Sequence, residues 1–385
     1  MRVLFSSTRG AGHLQPLLPY ARALVARGHE VAVAAPIDLS ETLRDAGFAH
    51  FVFDRPGDDV LDPIWARLKG VADDEAAGMA IVAGEVFGGL NAVAAVPKLQ
   101  LAISTFGPEL IVRDSVEYGS LVAAELAKVR HARVAVHSIS FEEVFPPNVA
   151  APLDALRASV GLAPDSGASL SAEPAFSSFP ASLDIAPASS RMRAAFRARV
   201  LDEAPSGTLA AWAQTDDARP LVYITFGSII GGIERFRSIY RVALDAVAEL
   251  PVRALLTTGK GLEPGSLGAI PANVHVEAWV PQREVLPRAA ALVCHGGSGT
   301  LLGALAAGLP MVVAGMGADQ PHNGRLLARA GAGLALTTPD AGALRAAIQS
   351  VLETPSIRAQ AQLLADEIAA MPTIENAVDQ LLEMS

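Results

Sequence analysis

The feature that most limits how this chain can fold is a rhythm that runs twice. Short aliphatic runs alternate with helical stretches, break off, and then start again. In the first series, residues 3–7 read as a strand, Gly10-Ala11-Gly12-His13 as a tight loop, and 14–26 as an amphipathic helix closed by Gly28. Residues 30–35, 48–53, 110–113 and 133–137 read as further strands separated by helical patterns. Alternation of this kind implies parallel strands joined by right-handed crossovers, so the expected fold is a doubly wound parallel sheet. Residues 161–188, rich in Pro, Ser, Ala and Gly without a clean period, read as long surface loops.

The break falls at 202–220, where Pro205, Gly207 and the pair Asp216-Asp217 suggest a linker. Beyond it, 221–226, 253–258, 274–277, 291–295 and 311–313 read as strands, and 235–250 and 300–307 as helices. The tail 355–384 reads as helix with a break at Pro372. A chain of 385 residues accommodates two domains of roughly 150–200 residues each. The expected division is an N-terminal domain over 1–205, a linker over 206–219, a C-terminal domain over 220–365, and a final helix over 366–385 that returns to the N-terminal domain. Two α/β halves facing each other would place a ligand cleft at the carboxyl ends of their strands.

Composition narrows the function. With 51% hydrophobic and 18% charged residues, the chain suits buried sheets covered by helices. A net charge of −10 argues against a general nucleic-acid or membrane-surface binder. An anionic ligand stays possible where backbone dipoles hold it. The single cysteine, Cys294, can form no internal disulfide, which fits a reducing, cytoplasmic setting, and its apolar neighbours suggest a buried small hydrophobe. The start of the chain is too quickly polar for a signal peptide. The uncharged stretch 301–318 contains Pro310 and four glycines and divides into loop, helix and strand, so no membrane span is expected.

The strongest local signal is His295-Gly296-Gly297-Ser298-Gly299-Thr300 between a strand and a helix. Glycines let a backbone approach a ligand closely, and the helix start offers free N–H groups with a partial positive charge. By itself the loop reads equally as an ordinary turn with a serine cap. It is not a Walker loop, lacking Gly-Lys-Ser/Thr, nor a hydrolase elbow, since position 300 is Thr where glycine is required.

Context separates these readings. Ala278-Trp279-Val280-Pro281-Gln282 lies upstream, and Gly308-Leu309-Pro310 and Asp319-Gln320-Pro321-His322-Asn323 lie downstream. Together with Gly12-His13-Leu14-Gln15-Pro16-Leu17, Gly28-His29-Glu30-Val31 and Phe226-Gly227-Ser228, this arrangement resembles the family 1 glycosyltransferases of GT-B fold, particularly the actinobacterial antibiotic glycosyltransferases. The resemblance runs over nearly the whole chain. It implies two Rossmann-like doubly wound domains facing across a cleft, and transfer of a (deoxy)sugar from a nucleotide diphosphate-sugar to a small apolar natural-product acceptor.

Carried over position by position, the resemblance assigns Trp279 and the Val280 backbone to the nucleobase. Ser228, His295, Gly297, Ser298, Gly299 and Thr300 would hold the diphosphate, and Asp319 and Gln320 the sugar hydroxyls. One position departs from the pattern. Many UDP-sugar-using relatives carry a glutamate for the ribose hydroxyls eight residues after the loop histidine, where this chain has Gly303. A donor lacking the 2′-hydroxyl would miss that carboxylate less, so dTDP is favoured over UDP.

For the chemical step, His13 after the first strand would be the base, and Asp114 at the end of the strand 110–113 its partner, with Glu117 in reserve. The expected reaction is a single displacement with inversion, independent of metal and of any cofactor beyond the donor. The eight histidines show no His-Glu-x-x-His pattern. In relatives the region 54–106 builds the acceptor pocket. Its apolar stripe includes Leu68, Val82 and Leu90, and from it Trp65, Met79 and Phe87 are named as acceptor residues. Three rivals stay open: a dinucleotide-dependent oxidoreductase, a nucleotide-sugar epimerase, and a non-catalytic partner protein. Assembly into a homodimer is left open as well.

Overall fold

The computed structural model describes residues 1–71, 74–185, 195–200, 217–337 and 339–384. The expected linker 206–219 therefore lies mostly outside the described residues. The chain divides into two compact units, one of residues 1–178, 185–200 and 372–385, the other of 179–184 and 201–371. The tail thus rejoins the first unit at Pro372 rather than at 366, and the short piece Phe179–Asp184 belongs to the second.

The first unit carries a seven-stranded parallel sheet of β1 (Arg2–Ser6), β2 (Glu30–Pro36), β3 (Ala49–Phe53), β4 (Leu110–Asp114), β5 (Arg130–Val134), β6 (Ala175–Ser177) and β7 (Phe196–Arg197), in the order β3-β2-β1-β4-β5-β6-β7. Successive strand residues face opposite layers. Val3, Phe5, Leu110 and Val112 pack in one core cluster, whereas Leu4 and Ile111 pack in another. Because both faces are covered, the strands read as continuous aliphatic runs.

Several expected boundaries shift. β5 begins three residues before the expected 133–137 and ends at Val134. The region read as surface loop holds the helix Ala168–Ala172 and β6, whose Ala175, Phe176 and Ser177 are all buried. The helix expected over 14–26 is two pieces, Ala11–Leu14 and Leu18–Ala26, because Pro16 has no N–H to continue the ladder.

One helical run, Ala76–Phe106, is long and apolar enough to cross a membrane by length and composition. Its middle, Ala80–Asn91, is π-helical. There the absent side chain of Gly84 matters, since a Cβ would lie 2.7 Å from the Asn148 carbonyl on the facing helix Phe145–Ser159. Ala83, Val86, Ala92, Ala95, Val96, Leu99 and Ala102 of this run are buried within the first unit.

The last helix, Ile374–Glu383, begins with a capping box on Thr373 and Asn376. It puts Ala377, Val378 and Leu381 into the same cluster as Leu24 and Tyr20, and Asp379 meets Arg27 at 2.5 Å.

The second unit repeats the plan with six parallel strands: β8 (Leu221–Thr225), β9 (Arg253–Thr257), β10 (Val274–Glu277), β11 (Ala291–Cys294), β12 (Met311–Ala314) and β13 (Gly333–Leu336), ordered β10-β9-β8-β11-β12-β13. Tyr223, Leu292, Cys294, Met311 and Val313 face one layer, and Val222, Ile224, Val293 and Val312 the other. Cys294 is thus a core residue, and burial pushes its thiol up to about 12. The stretch 301–318 divides into most of the helix Ser298–Ala306, a turn at Ala307 and Gly308, and β12 after Pro310.

Candidate functional site

In sheets of this order, ligands bind beyond the carboxyl ends of the strands where the chain direction of winding reverses. That point lies between β1 and β4 in the first unit and between β8 and β11 in the second. Each unit places polar side chains there.

In the first unit, His13 sits in the short helix after β1, and Asp114 is the last residue of β4. His13 Nδ1 lies 3.5 Å from Asp114 Oδ2, a contact longer than a formed hydrogen bond. Asp114 is fully buried and anchored by backbone donors, Thr8 N at 2.7 Å to Oδ2 and Val116 N at 2.8 Å to Oδ1. Burial raises its pKa, but His13 and these amides outweigh that and hold the carboxyl below its ordinary value. Glu117, the reserve partner, serves elsewhere. It caps the helix Tyr118–Ala127 through Gly119 N and Ser120 N, and accepts from Ser6 Oγ at 2.7 Å. Desolvation raises its pKa.

Beside this pair is a cavity of about 140 Å³ lined mainly by Phe53, Leu61, Trp65, Val86, Phe87, Val116 and Tyr118, with Thr8, Arg9 and Asn91 among its polar atoms. Trp65 and Phe87 stand on its wall. Met79 does not; it ends the helix Glu75–Met79 and packs against the cluster of Ala83, Val96 and Phe145, which Phe87 also touches.

In the second unit, β11 ends at Cys294 and the helix Ser298–Ala306 starts after three intervening residues, with Gly297 as its cap. The His295 ring is wedged between glycines. A Cβ on Gly297 would lie 2.5 Å from its Nε2, and one on Gly227 2.9 Å from both Nε2 and Cε1. Desolvation lowers the imidazole pKa to about 4 against the opposing pull of Asp319, so the ring is neutral at pH 7, and its Nδ1 is buried without a partner. Gly299 and Ser228 are exposed at the rim, and Trp279 is 69% exposed.

Other expected contacts turn inward. Ser298 Oγ donates to Asp319 Oδ2 at 2.7 Å, and Asn323 Nδ2 donates to the same oxygen at 2.7 Å. Asp319 is only 8% exposed, so its carboxylate holds the loop together before any ligand arrives. Thr300 Oγ1 accepts from Gln282 Nε2 at 3.1 Å, and Gln320 Oε1 accepts from Met316 N at 3.0 Å. Val280 packs against the core of this unit.

Residues 241–384 match the family model described as erythromycin biosynthesis protein CIII-like, C-terminal domain. Over 388 residues the chain is 30% identical to L-demethylnoviosyl transferase of Streptomyces niveus, covering 97% of this chain and 95% of that protein. The chain belongs to the actinobacterial natural-product glycosyltransferases. This glycosyltransferase is also 28% identical to 4′-demethylrebeccamycin synthase of Lentzea aerocolonigenes, across 98% of both chains. Among solved structures, the glycosyltransferase SnogD from Streptomyces nogalater superposes with a TM-score of 0.77 at 25% identity, covering 99% of this chain and 98% of that one. The oxidoreductase and non-catalytic readings fall with that membership, and the two parallel-sheet units are those of the GT-B fold.

The glycosyltransferase also holds site residues that sequence reasoning missed. His137, just past β5, stands edge-on to His13 with ring centroids 6.2 Å apart, and its Nδ1 lies 3.8 Å from the buried Glu142. Only their position after a predicted strand end could have flagged them.

Proposed function

We propose that this glycosyltransferase moves a (deoxy)sugar from a nucleotide diphosphate donor, dTDP-linked in preference to UDP-linked, to a hydroxyl of an apolar natural-product acceptor, with inversion at the anomeric carbon. The observation that carries the reading is the pairing of His13 with buried Asp114 at the switch point of the first sheet. Asp114 faces Nδ1, so Nε2 is the nitrogen left to accept the acceptor's proton. The acceptor oxygen then attacks the anomeric carbon as its bond to the diphosphate breaks, and the proton ends on His13. The resulting imidazolium is stabilised by the Asp114 carboxylate.

The second unit supports the leaving group. The helix start at Ser298, the exposed Gly299 amide and neutral His295 offer donors to diphosphate oxygens without a bound metal. Exposed Trp279 offers a flat face for the base, and Gln320 and Asp319 polar atoms for the sugar. Gly303 supports the nucleotide preference, since a glycine there offers no carboxylate to a ribose 2′-hydroxyl. The cavity beside Phe87 and Trp65 suits an apolar acceptor. In this reading the protein works in the cytoplasm with no further cofactor.

Two measurements test it together. Thermal shifts with dTDP, UDP and GDP should be largest for dTDP, because a ligand bound only to the folded state raises stability by mass action. His13→Ala should keep the dTDP shift and lose transfer by about 10²-fold or more. Wild-type turnover by that variant, or a larger shift with UDP, would overturn the base or the donor assignment respectively.

A further inference from the structure

The Asp114 contact at 3.5 Å is longer than a formed hydrogen bond, so it selects which nitrogen of His13 faces the carboxylate and leaves the angle of the ring to its other neighbours. Two rings flank it: Phe87, 5.9 Å away and tilted by 52°, and His137, 6.2 Å away at 81°. An edge-to-face pair within about 7 Å is an attractive geometry with a defined angle. Phe87 comes from the π-helical run; His137 is itself held from several sides.

The His137 ring packs on Phe141 at 5.3 Å and on Phe145 at 5.6 Å. Its backbone N donates to Glu142 Oε1 at 3.4 Å, and its Nδ1 faces that same oxygen. Glu142 is 1% exposed and receives Ser115 Oγ at 2.5 Å, with Arg133 Nε 3.6 Å from its other oxygen. Ser115 follows Asp114 directly at the tip of β4. One strand tip therefore anchors both carboxylates, Asp114 behind His13 and Glu142 behind His137.

We propose that His137, braced by Glu142 and the Phe141–Phe145 pair, is a positioning residue that holds the His13 imidazole at the angle needed for proton transfer. This rests on the reading of His13 as the base. A misplacement of about 1 Å in a reacting group can cost roughly 10²-fold in rate, so a loosened ring should slow chemistry while leaving substrate binding intact.

The test compares His137→Leu with His137→Phe, both of which fill the space while only the second offers a ring. Thermal melting and the dTDP-induced shift check that each variant is folded. The expected result is a fall of at least about tenfold in kcat for His137→Leu, unchanged KM for donor and acceptor, and recovery of most of that loss by His137→Phe. Wild-type kcat in His137→Leu, or equal loss in the two variants, overturns the proposal. His13→Ala run alongside separates the two ideas: if it stays active, the base reading falls and this one with it. If it is inactive while His137→Leu is unimpaired, only the positioning role falls.

Discussion

A Cβ on Gly227 would come within 2.9 Å of the His295 ring, which makes the loop after β8 one wall of the slot that holds the imidazole. Gly227 also has φ +79°, where a side chain is strained whatever the space. Gly227→Ala should cost about 1–3 kcal/mol of stability and weaken dTDP binding, because His295 must leave its slot. Urea unfolding and dTDP titration of the variant check both effects.

The neutral state of His295 has a pH consequence with a definite sign. Its folded pKa, near 4, lies below the ordinary histidine value of 6.5. Between those values the unfolded chain binds a proton that the folded chain does not, so stability falls as pH drops from about 6.5 towards 4. His295→Gln should remove that component. The check is the urea midpoint of each protein at pH 7 and pH 5, with the wild type losing more.

Arg113 is a fully buried guanidinium, held by Glu173 through Nε at 2.9 Å and Nη2 at 2.5 Å and by the carbonyls of Asp114, Ser115 and Glu117 through Nη1. Arg113→Met would leave Glu173 buried and short of its main partner, at a cost of about 3–5 kcal/mol. Burial alone would raise Glu173, yet Arg113 and His131 bring its pKa down to about 2. Its contribution is therefore present above about pH 4.5 and is lost as pH falls towards 2. Chemical denaturation from pH 7 to pH 3 should show that acid loss in the wild type and a shallower one in the variant.

Donor preference should respond to position 303. A carboxylate there, reached by Gly303→Glu with Leu286→Ala to clear the 3.3 Å approach, should shift binding from dTDP towards UDP. Competition between the two nucleotides measures it, and an unchanged ratio would separate the ribose contact from this position.

The doubled α/β rhythm was legible because strands buried on both faces are unbroken aliphatic runs, as at Leu221–Thr225. The break at Pro372 and the loop at His295 were legible from residue chemistry. β6 and β7 were not, having three and two residues, too few to show a period, and β13 went unread as well. Met79 was read as an acceptor residue from the apolar stripe, but such a stripe does not separate a residue that packs on the core from one that lines the cavity. Ser298 and Asp319 were recognised as polar loop residues, but their bond to each other depends on strands β11 and β12 lying side by side. The Ser115–Glu142 bond behind His137 needs β4 and β5 paired, which no local spacing encodes.

The helix Ile374–Glu383 closes the cluster around Tyr20 and Leu24. A ribosome makes Tyr20 before Leu381, with all of the second unit between them. During synthesis the first unit waits with one apolar face uncovered until the second unit has been made, and only then can it close.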